Sequence, residues 1–474
     1  MGGKTLWLTL ATLAGLAAGF AREWLLVAAW GGGRHSDAFV LALFVPEAVR
    51  MTLAGGLLAS AALPLYRQRD LAGQRQWLAM LTPQLLLVAL ALAATLTVGA
   101  SLWVMLLGPG LDAAGRQQAA ANLQYLAWTL PACVLHALFA IPLQARERFV
   151  LAGLGSLLFN LPPALYLAWR GTASSDLALA ANCVLGSVLM LLPLLVANWR
   201  LGWRPWQASL RSEALRELGG RLLPLLGSNV ASQGLALLER LIASLLGEGV
   251  LTWVNLARKL VNLPLVALMS LNQVLLGLMS GQAGAQRLAL LQRGIAITSL
   301  LSLPAAVGMV GAAPALVYWL LPASSSTGPL PLLLAWFAVP LVFGAWNAML
   351  ARYAYADGNT QLPLHCELAG SAANAVLLLA LPVLLGPAGI ALAAWGGALL
   401  TGWLLMRKMG LLQSLPWLQH WGLSLALLAL ARGLLFPLTS PLWQLLLTTL
   451  CAAVLLLALL AWLRPWQTVG ARNR

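Results

Sequence analysis

The chain has 474 residues, of which 61% are hydrophobic and 9% charged, a balance that leaves too little polar surface to cover a soluble globule of this size. Its formal net charge of +15 would suggest nucleic acid in a soluble protein. In a chain this apolar the basic residues first report membrane topology, and no nucleic-acid partner is expected.

Apolar stretches long enough to cross a hydrocarbon core of about 30 Å as helices recur from Leu6 to Trp462 with short polar breaks. They are continuous and rich in Leu and Ala rather than alternating, which excludes a β-barrel and predicts an all-α integral membrane protein. The first helix is predicted to begin near residue 5. Its apolar run, Leu6 to Phe20 behind Lys4, has the form of a secretory signal with small residues at Ala17 and Ala18, but the run resumes beyond Arg22 and Glu23 and is read as a span. A second helix begins near 37 and carries Glu47 and Arg50 three residues apart, hence on one face. Helices follow near 78, 118, 149 and 176, then a basic loop over 201–216 with Trp203 and Trp206, best taken as interfacial tryptophans. The seventh, near 218, is interrupted by Glu239 and Arg240, and the eighth, near 249, contains Arg258 and Lys259. The rest begin near 288, 328, 362, 387, 418 and 441, giving about 14 transmembrane helices.

Basic residues alternate across the breaks. Arg67, Arg69 and Arg75 follow the second helix, Arg146 and Arg148 the fourth, Arg200, Arg204, Arg211 and Arg216 the sixth. Arg287 and Arg293, then Arg352, then Arg407 and Lys408 mark the later even breaks, whereas the odd breaks offer only Arg34, Arg116, Arg170 and Arg432. By the positive-inside rule the even breaks and both termini, with Lys4, Arg464, Arg472 and Arg474, are cytoplasmic.

Two pairs of segments suggest duplication. Ser36 to Pro46 parallels Thr252 to Pro264, and Gln144 to Asn160 parallels Tyr355 to Asn374; aligning Ala42 with Ala257 gives an offset of 215 and Asn160 with Asn374 an offset of 214. A shared offset predicts two parallel six-helix lobes, residues 1–200 and 217–410, joined by the loop 201–216, with 411–474 forming two extra helices. Chance likeness among Leu/Ala-rich helices is the competing explanation.

A charge near the bilayer centre costs about 2.5–3.5 kcal/mol on insertion scales, so such residues face a protein interior or an aqueous cavity. Arg22 and Glu23, Glu47 and Arg50, Glu239 and Arg240, Arg258 and Lys259 all fall in the first two helices of a predicted lobe. They predict a central cavity that is cationic on balance and suited to a diphosphate, because guanidinium groups meet phosphate oxygens with paired hydrogen bonds. Structural ion pairing, above all Glu47 with Arg50, and snorkelling to the interface are the alternatives. Gly31 to Gly33 fit hinges, phosphate-approaching backbone or close helix packing alike, and Gly55 and Gly56 fit close packing best. Cys133, Cys183, Cys366 and Cys451 and the four histidines lack disulfide or metal spacing, so no metal or cofactor is called for.

The stretch Gly19-Phe20-Ala21-Arg22-Glu23, then Ser36-Asp37-Ala38-Phe39, Pro46, Arg50, Gly55 and Pro64 resembles the amino-terminal pattern of the MurJ/MviN lipid flippases. The likeness continues in LLGSNVASQGLALLERLIASLLGEG ending at Gly249, in LARKLVNLP (256–264) and in ARYAYADGNTQLP (351–363). The resemblance implies the fold of the multidrug/oligosaccharidyl-lipid/polysaccharide exporter superfamily and alternating access that turns a polyprenyl-diphosphate-linked saccharide from the cytoplasmic to the periplasmic leaflet of the bacterial inner membrane. By position Arg22, Arg50 and Lys259, with Arg258 beside it, match substrate-diphosphate contacts. Asp37, with Glu23 and Glu47, matches conformational or charge partners, and Glu239 a site of cation coupling. Leu16 stands where the family usually has an arginine and Arg258 where it has Asp. These departures keep open a flippase for another lipid-linked glycan or a transport-inactive scaffold for cell-envelope proteins. An enzyme is not expected, because no sizeable polar loop carries carboxylates or histidines placed for chemistry.

Overall fold

The computed structural model describes residues 2–53, 57–204, 213–263, 275, 278–321, 328–415 and 417–463. Expectations for Gly55, Gly56, Trp206, Arg211, Pro264, Arg464, Arg472 and Arg474, and for the side chain of Lys4, lie outside the described residues.

The described residues are helical and carry no strand. The chain divides into two compact units, Met1–Thr252 and Trp253–Arg474. The first contains α1 (Gly2–Trp30), α2 (Arg34–Thr52), α3 (Leu58–Arg67), α4 (Leu71–Val98), α5 (Ala100–Leu107), α6 (Ala113–Leu126), α7 (Leu130–Ala145), α8 (Phe149–Gly153), α9 (Gly155–Arg170), α10 (Asp176–Arg200) and α11 (Glu213–Leu245); α12 (Val250–Asn262) begins in it. The second continues with α13 (Gly284–Leu320), α14 (Leu330–Ala356), α15 (Gln361–Leu385), α16 (Pro387–Lys408), α17 (Trp417–Leu430) and α18 (Pro441–Leu463).

A helix begins within a few residues of every predicted start, and the larger shifts have local causes. The third predicted span begins at Leu71 because Asp70 caps it, accepting from Gly73 N at 2.9 Å; the fourth begins at Ala113 because Asp112 accepts from Gly115 N at 2.8 Å. Among the described residues ten helices are long and apolar enough to cross a membrane. The others include α2, α11 and α12, the helices that carry Asp37, Glu47, Arg50, Glu239, Arg258 and Lys259. α2 carries four charged residues within its 19, and α12 has only 13 residues.

In the first unit α1 packs on α9, α9 on α10, α2 on α6, and α7 on α3, α4 and α10. Its core includes Tyr66, Trp77, Phe139 and Trp203. Asn198 donates to the carbonyls of Phe139 and Leu194 at 2.8 Å and so ties the end of α10 to α7. In the second unit α13 packs on α14 and α18, and α16 on α14 and α15. Side chains supply bonds that apolar packing in lipid cannot. Trp346 Nε1 donates to Ser299 Oγ at 2.9 Å, Asn347 to Ala398 O at 2.8 Å and Trp395 Nε1 to Trp336 O at 2.8 Å. The Gln444 amide donates at 3.0 Å to the carbonyls of Gly311, Leu435 and Phe436, fastening the π-helical turn Ala431–Leu435.

Candidate functional site

The first unit holds a chain of ionic groups built from two helices. Arg22 and Glu23 are adjacent on α1; Glu47 and Arg50 lie one turn apart on α2, as their spacing predicts. Arg22 Nη2 lies 2.5 Å from Glu23 Oε1 and 3.3 Å from Glu47 Oε2, and Arg50 Nη2 lies 3.5 Å from Glu47 Oε1. Glu23, Arg22, Glu47 and Arg50 therefore alternate in sign. Arg22 is completely buried and Arg50 6% exposed. Moving such charges out of water is costly, and only close partners offset the cost.

Two carboxylates balance two guanidinium groups here, so the cationic excess expected from the sequence is not found within this cluster. The partners also leave donors over. Arg22 Nε and Nη1 and Arg50 Nε are buried without a hydrogen-bond acceptor among the described residues, in a setting where nearly all buried N–H groups have one. Arg50 also stacks on Phe159, with Cζ 4.5 Å from the ring centroid. The cluster is electrically paired but its arginines retain capacity for oxygen ligands.

Asp37 is placed elsewhere. It lies in the first turn of α2, 1% exposed, and accepts three hydrogen bonds: from Gly249 N at 2.6 Å, Thr252 N at 2.8 Å and Thr252 Oγ1 at 2.5 Å. These donors are the first amides of α12, so the carboxylate sits at the positive end of that helix. Neighbouring contacts extend the clasp. Arg34 N donates to Glu248 Oε1 at 2.8 Å, Arg34 Nη2 pairs with Asp112 at 2.7 Å, and Gly110 N donates to Ser244 Oγ at 3.3 Å. Gly110 is needed as glycine, because a Cβ there would lie 2.7 Å from Leu245 Cα. Asp37 is thus a clamp on residues 244–252 rather than a member of the Arg22 cluster.

Glu239 is 6% exposed on α11. Beside it Arg240 covers the Phe44 ring, its Cζ 3.7 Å from the centroid. In the second unit Arg258 stacks on Phe337 at 4.6 Å, and Lys259 is half-buried on the same helix. Leu16, where the family pattern has an arginine, is exposed on α1. Cys133, Cys183 and Cys366 are buried and Cys451 is exposed, none of them in a disulfide.

Sequence reasoning did not identify Gly249 and Thr252 as the partners of Asp37, nor His136, a buried histidine on α7. The first carried a readable signal: Asp37 and Thr252 are 215 residues apart, the offset that relates the two candidate repeats. The second carried none.

The family model described as lipid II flippase MurJ matches residues 26–468. The lipid II flippase MurJ of Burkholderia cenocepacia is 26% identical over 442 residues, covering 86% of this chain and 84% of that protein. A probable lipid II flippase MurJ from Thermotoga maritima is 24% identical over 397 residues, covering 82% and 81%. Among solved structures, lipid II flippase MurJ in an inward closed conformation gives a TM-score of 0.84 at 19% identity, over 96% of this chain and 98% of that one. An inward-facing multidrug resistance MATE family transporter of the MOP superfamily gives 0.67 at 16% identity, over 85% and 95%. The structural likenesses establish the fold, an all-α membrane protein with about 14 transmembrane helices. With the family model spanning nearly the whole chain, the protein belongs to the lipid II flippase MurJ family.

Proposed function

We propose that this chain moves an undecaprenyl-diphosphate-linked saccharide, lipid II or a related peptidoglycan precursor, from the cytoplasmic to the periplasmic leaflet by alternating access. The observation that carries the reading is the buried Glu23–Arg22–Glu47–Arg50 chain, whose arginines keep N–H groups unspent after their carboxylate partners are satisfied. Isolated cations would be too costly to bury, and fully satisfied ones would have nothing to offer a ligand. Paired arginines with spare donors can exchange carboxylate contacts for phosphate oxygens as the headgroup enters. Arg258 and Lys259 would supply the excess positive charge a diphosphate needs.

The clamp on Asp37 supports a gating role. The positive-inside reading places Asp37 at the periplasmic end, so its bonds to Gly249 and Thr252 would hold that end shut while the substrate loads from the cytoplasm. Both termini would be cytoplasmic. Membrane potential would supply about 2.3 kcal/mol per charge per 100 mV, and Glu239 would be the carboxylate for cation coupling. The chain would act as a transporter and not as an enzyme.

A second reading, a paralogous flippase for an exopolysaccharide or another lipid-linked glycan, is favoured by Arg258 stacked on Phe337 and by Lys259, since an ammonium cannot reproduce the two-pronged phosphate contact of a guanidinium. The purified protein reconstituted in vesicles with a fluorescent lipid-linked saccharide tests the common core of both readings. Leaflet exchange is expected, with Arg50→Ala slowing it at least 100-fold and Arg50→Lys less. Equal exchange by wild type and Arg50→Ala would contradict the site assignment.

A further inference from the structure

The second unit contains a cavity of about 180 Å³ between α13, α14, α16 and the first two turns of α17. Gln292, Trp346, Asn347, Trp417, His420 and Trp421 line it, and no Asp, Glu, Lys or Arg is among its described lining residues. The rings hold one another edge to face: Trp417 and Trp421 have centroids 5.3 Å apart, Trp346 and His420 5.4 Å, and Trp421 rests on Phe343 at 5.6 Å. The two amides are each half spent. Gln292 Nε2 donates to Ser414 O at 3.1 Å and the Asn347 amide to Ala398 O at 2.8 Å, which fixes both side chains and leaves their carbonyl oxygens to accept from a ligand. Asn347, Trp417, His420 and Trp421 are half-buried and Gln292 is exposed, so the lining is reachable. Gly402 keeps it open: a Cβ there would lie 2.6 Å from Asn347 Oδ1 and 3.4 Å from Trp421 Cζ2.

The chemistry of this lining selects the ligand. With no fixed charge in the wall, a phosphate or an ammonium group would be buried unpaired at high cost. An acyl chain would match the rings but leave the amide oxygens without donors. A ligand with apolar C–H faces and hydroxyls that both donate and accept satisfies both halves of the wall. Volume sets its size, since a cavity of about 150 Å³ takes up one six-membered ring such as benzene. We propose that this cavity is a saccharide site, which stacks one neutral pyranose ring on its tryptophans and accepts from the ring hydroxyls at Asn347 and Gln292. The breaks that border it, with Arg287 and Arg293, Arg352, and Arg407 and Lys408, are those read as cytoplasmic, the side from which a headgroup would load. The assignment of the ring to the glycan of a lipid-linked substrate rests on the flippase reading given above; sugar binding itself does not.

The test uses the full chain in lipid nanodiscs with three probes: undecaprenyl diphosphate, the same lipid carrying a disaccharide that contains N-acetylglucosamine, and free N-acetylglucosamine. Wild type is expected to bind the sugar-bearing lipid about tenfold more tightly than the bare diphosphate lipid, the scale of one or two hydrogen bonds. Trp421→Leu and Gln292→Leu should each erase most of that preference and leave binding of the bare lipid in place. Thermal unfolding identifies the variants that have kept the fold, and Gln292→Leu, at an exposed position, serves if Trp421→Leu has not. Free N-acetylglucosamine bound by wild type and lost in both variants, with no preference between the lipids, would uphold the site and assign it to a soluble sugar. Folded variants with the wild-type preference intact, or wild type with neither a preference nor free-sugar binding, would overturn the saccharide site and leave the diphosphate reading standing. Wild type that binds neither lipid would overturn the flippase reading, and free-sugar binding, present or absent, would then decide the saccharide site on its own.

Discussion

Arg22→Met is expected to destabilise the protein by about 3–5 kcal/mol, the usual consequence of removing one partner from a buried ion pair. Arg22 is fully buried between Glu23, itself 2% exposed, and Glu47. Without the guanidinium, buried Glu23 loses its 2.5 Å partner, while Glu47 retains Arg50. The double variant Arg22→Met/Glu23→Leu removes both members of the deepest pair and should recover most of the lost stability, with transport still absent. Denaturant unfolding in detergent micelles measures the first effect and vesicle transport the second. A single variant as stable as wild type would show that the cluster is not an energetic unit.

The second large effect concerns the clamp. Asp37→Ala strands the Gly249 and Thr252 amides and the Thr252 hydroxyl, each having lost a bond to a carboxylate worth about 1.5–3 kcal/mol. Losing even one such bond shifts a two-state equilibrium about tenfold or more toward the state in which the clamp is open. Leu251, 2% exposed between the clamped positions, provides the reporter. In a background where exposed Cys451 is replaced by serine, Leu251→Cys should react with a membrane-impermeant thiol reagent at least tenfold faster when Asp37 is alanine. Thr252→Val, which keeps the backbone bonds, should fall between. Labelling that ignores Asp37 would mean that residues 247–252 are held by other contacts.

The parts legible in the sequence were those with local causes. Helix starts followed from apolar runs and from caps such as Asp70 and Asp112, and the Glu47–Arg50 pair followed from its one-turn spacing. The contact of Arg22 with Glu47 spans 25 residues and two helices, so no periodicity reveals it. It changes the meaning of the motif: two arginines that read as a free cationic patch prove to be threaded between two carboxylates. Asp37 was visible as an intramembrane acid, but its partners depend on how residues 244–252 fold back within the first unit. His136 looked like one more scattered histidine, because a sequence does not show that both ring nitrogens are left without bonds.

The most direct test of the account is expression of this chain in cells depleted of their own lipid II flippase, following survival and the lipid II pool. The account predicts restored growth and no accumulation of lipid II, with Arg50→Ala unable to rescue. A folded, membrane-inserted wild-type protein that leaves lipid II accumulating and the cells dying would contradict lipid II transport. It would shift the assignment to a different lipid-linked glycan or to a scaffold.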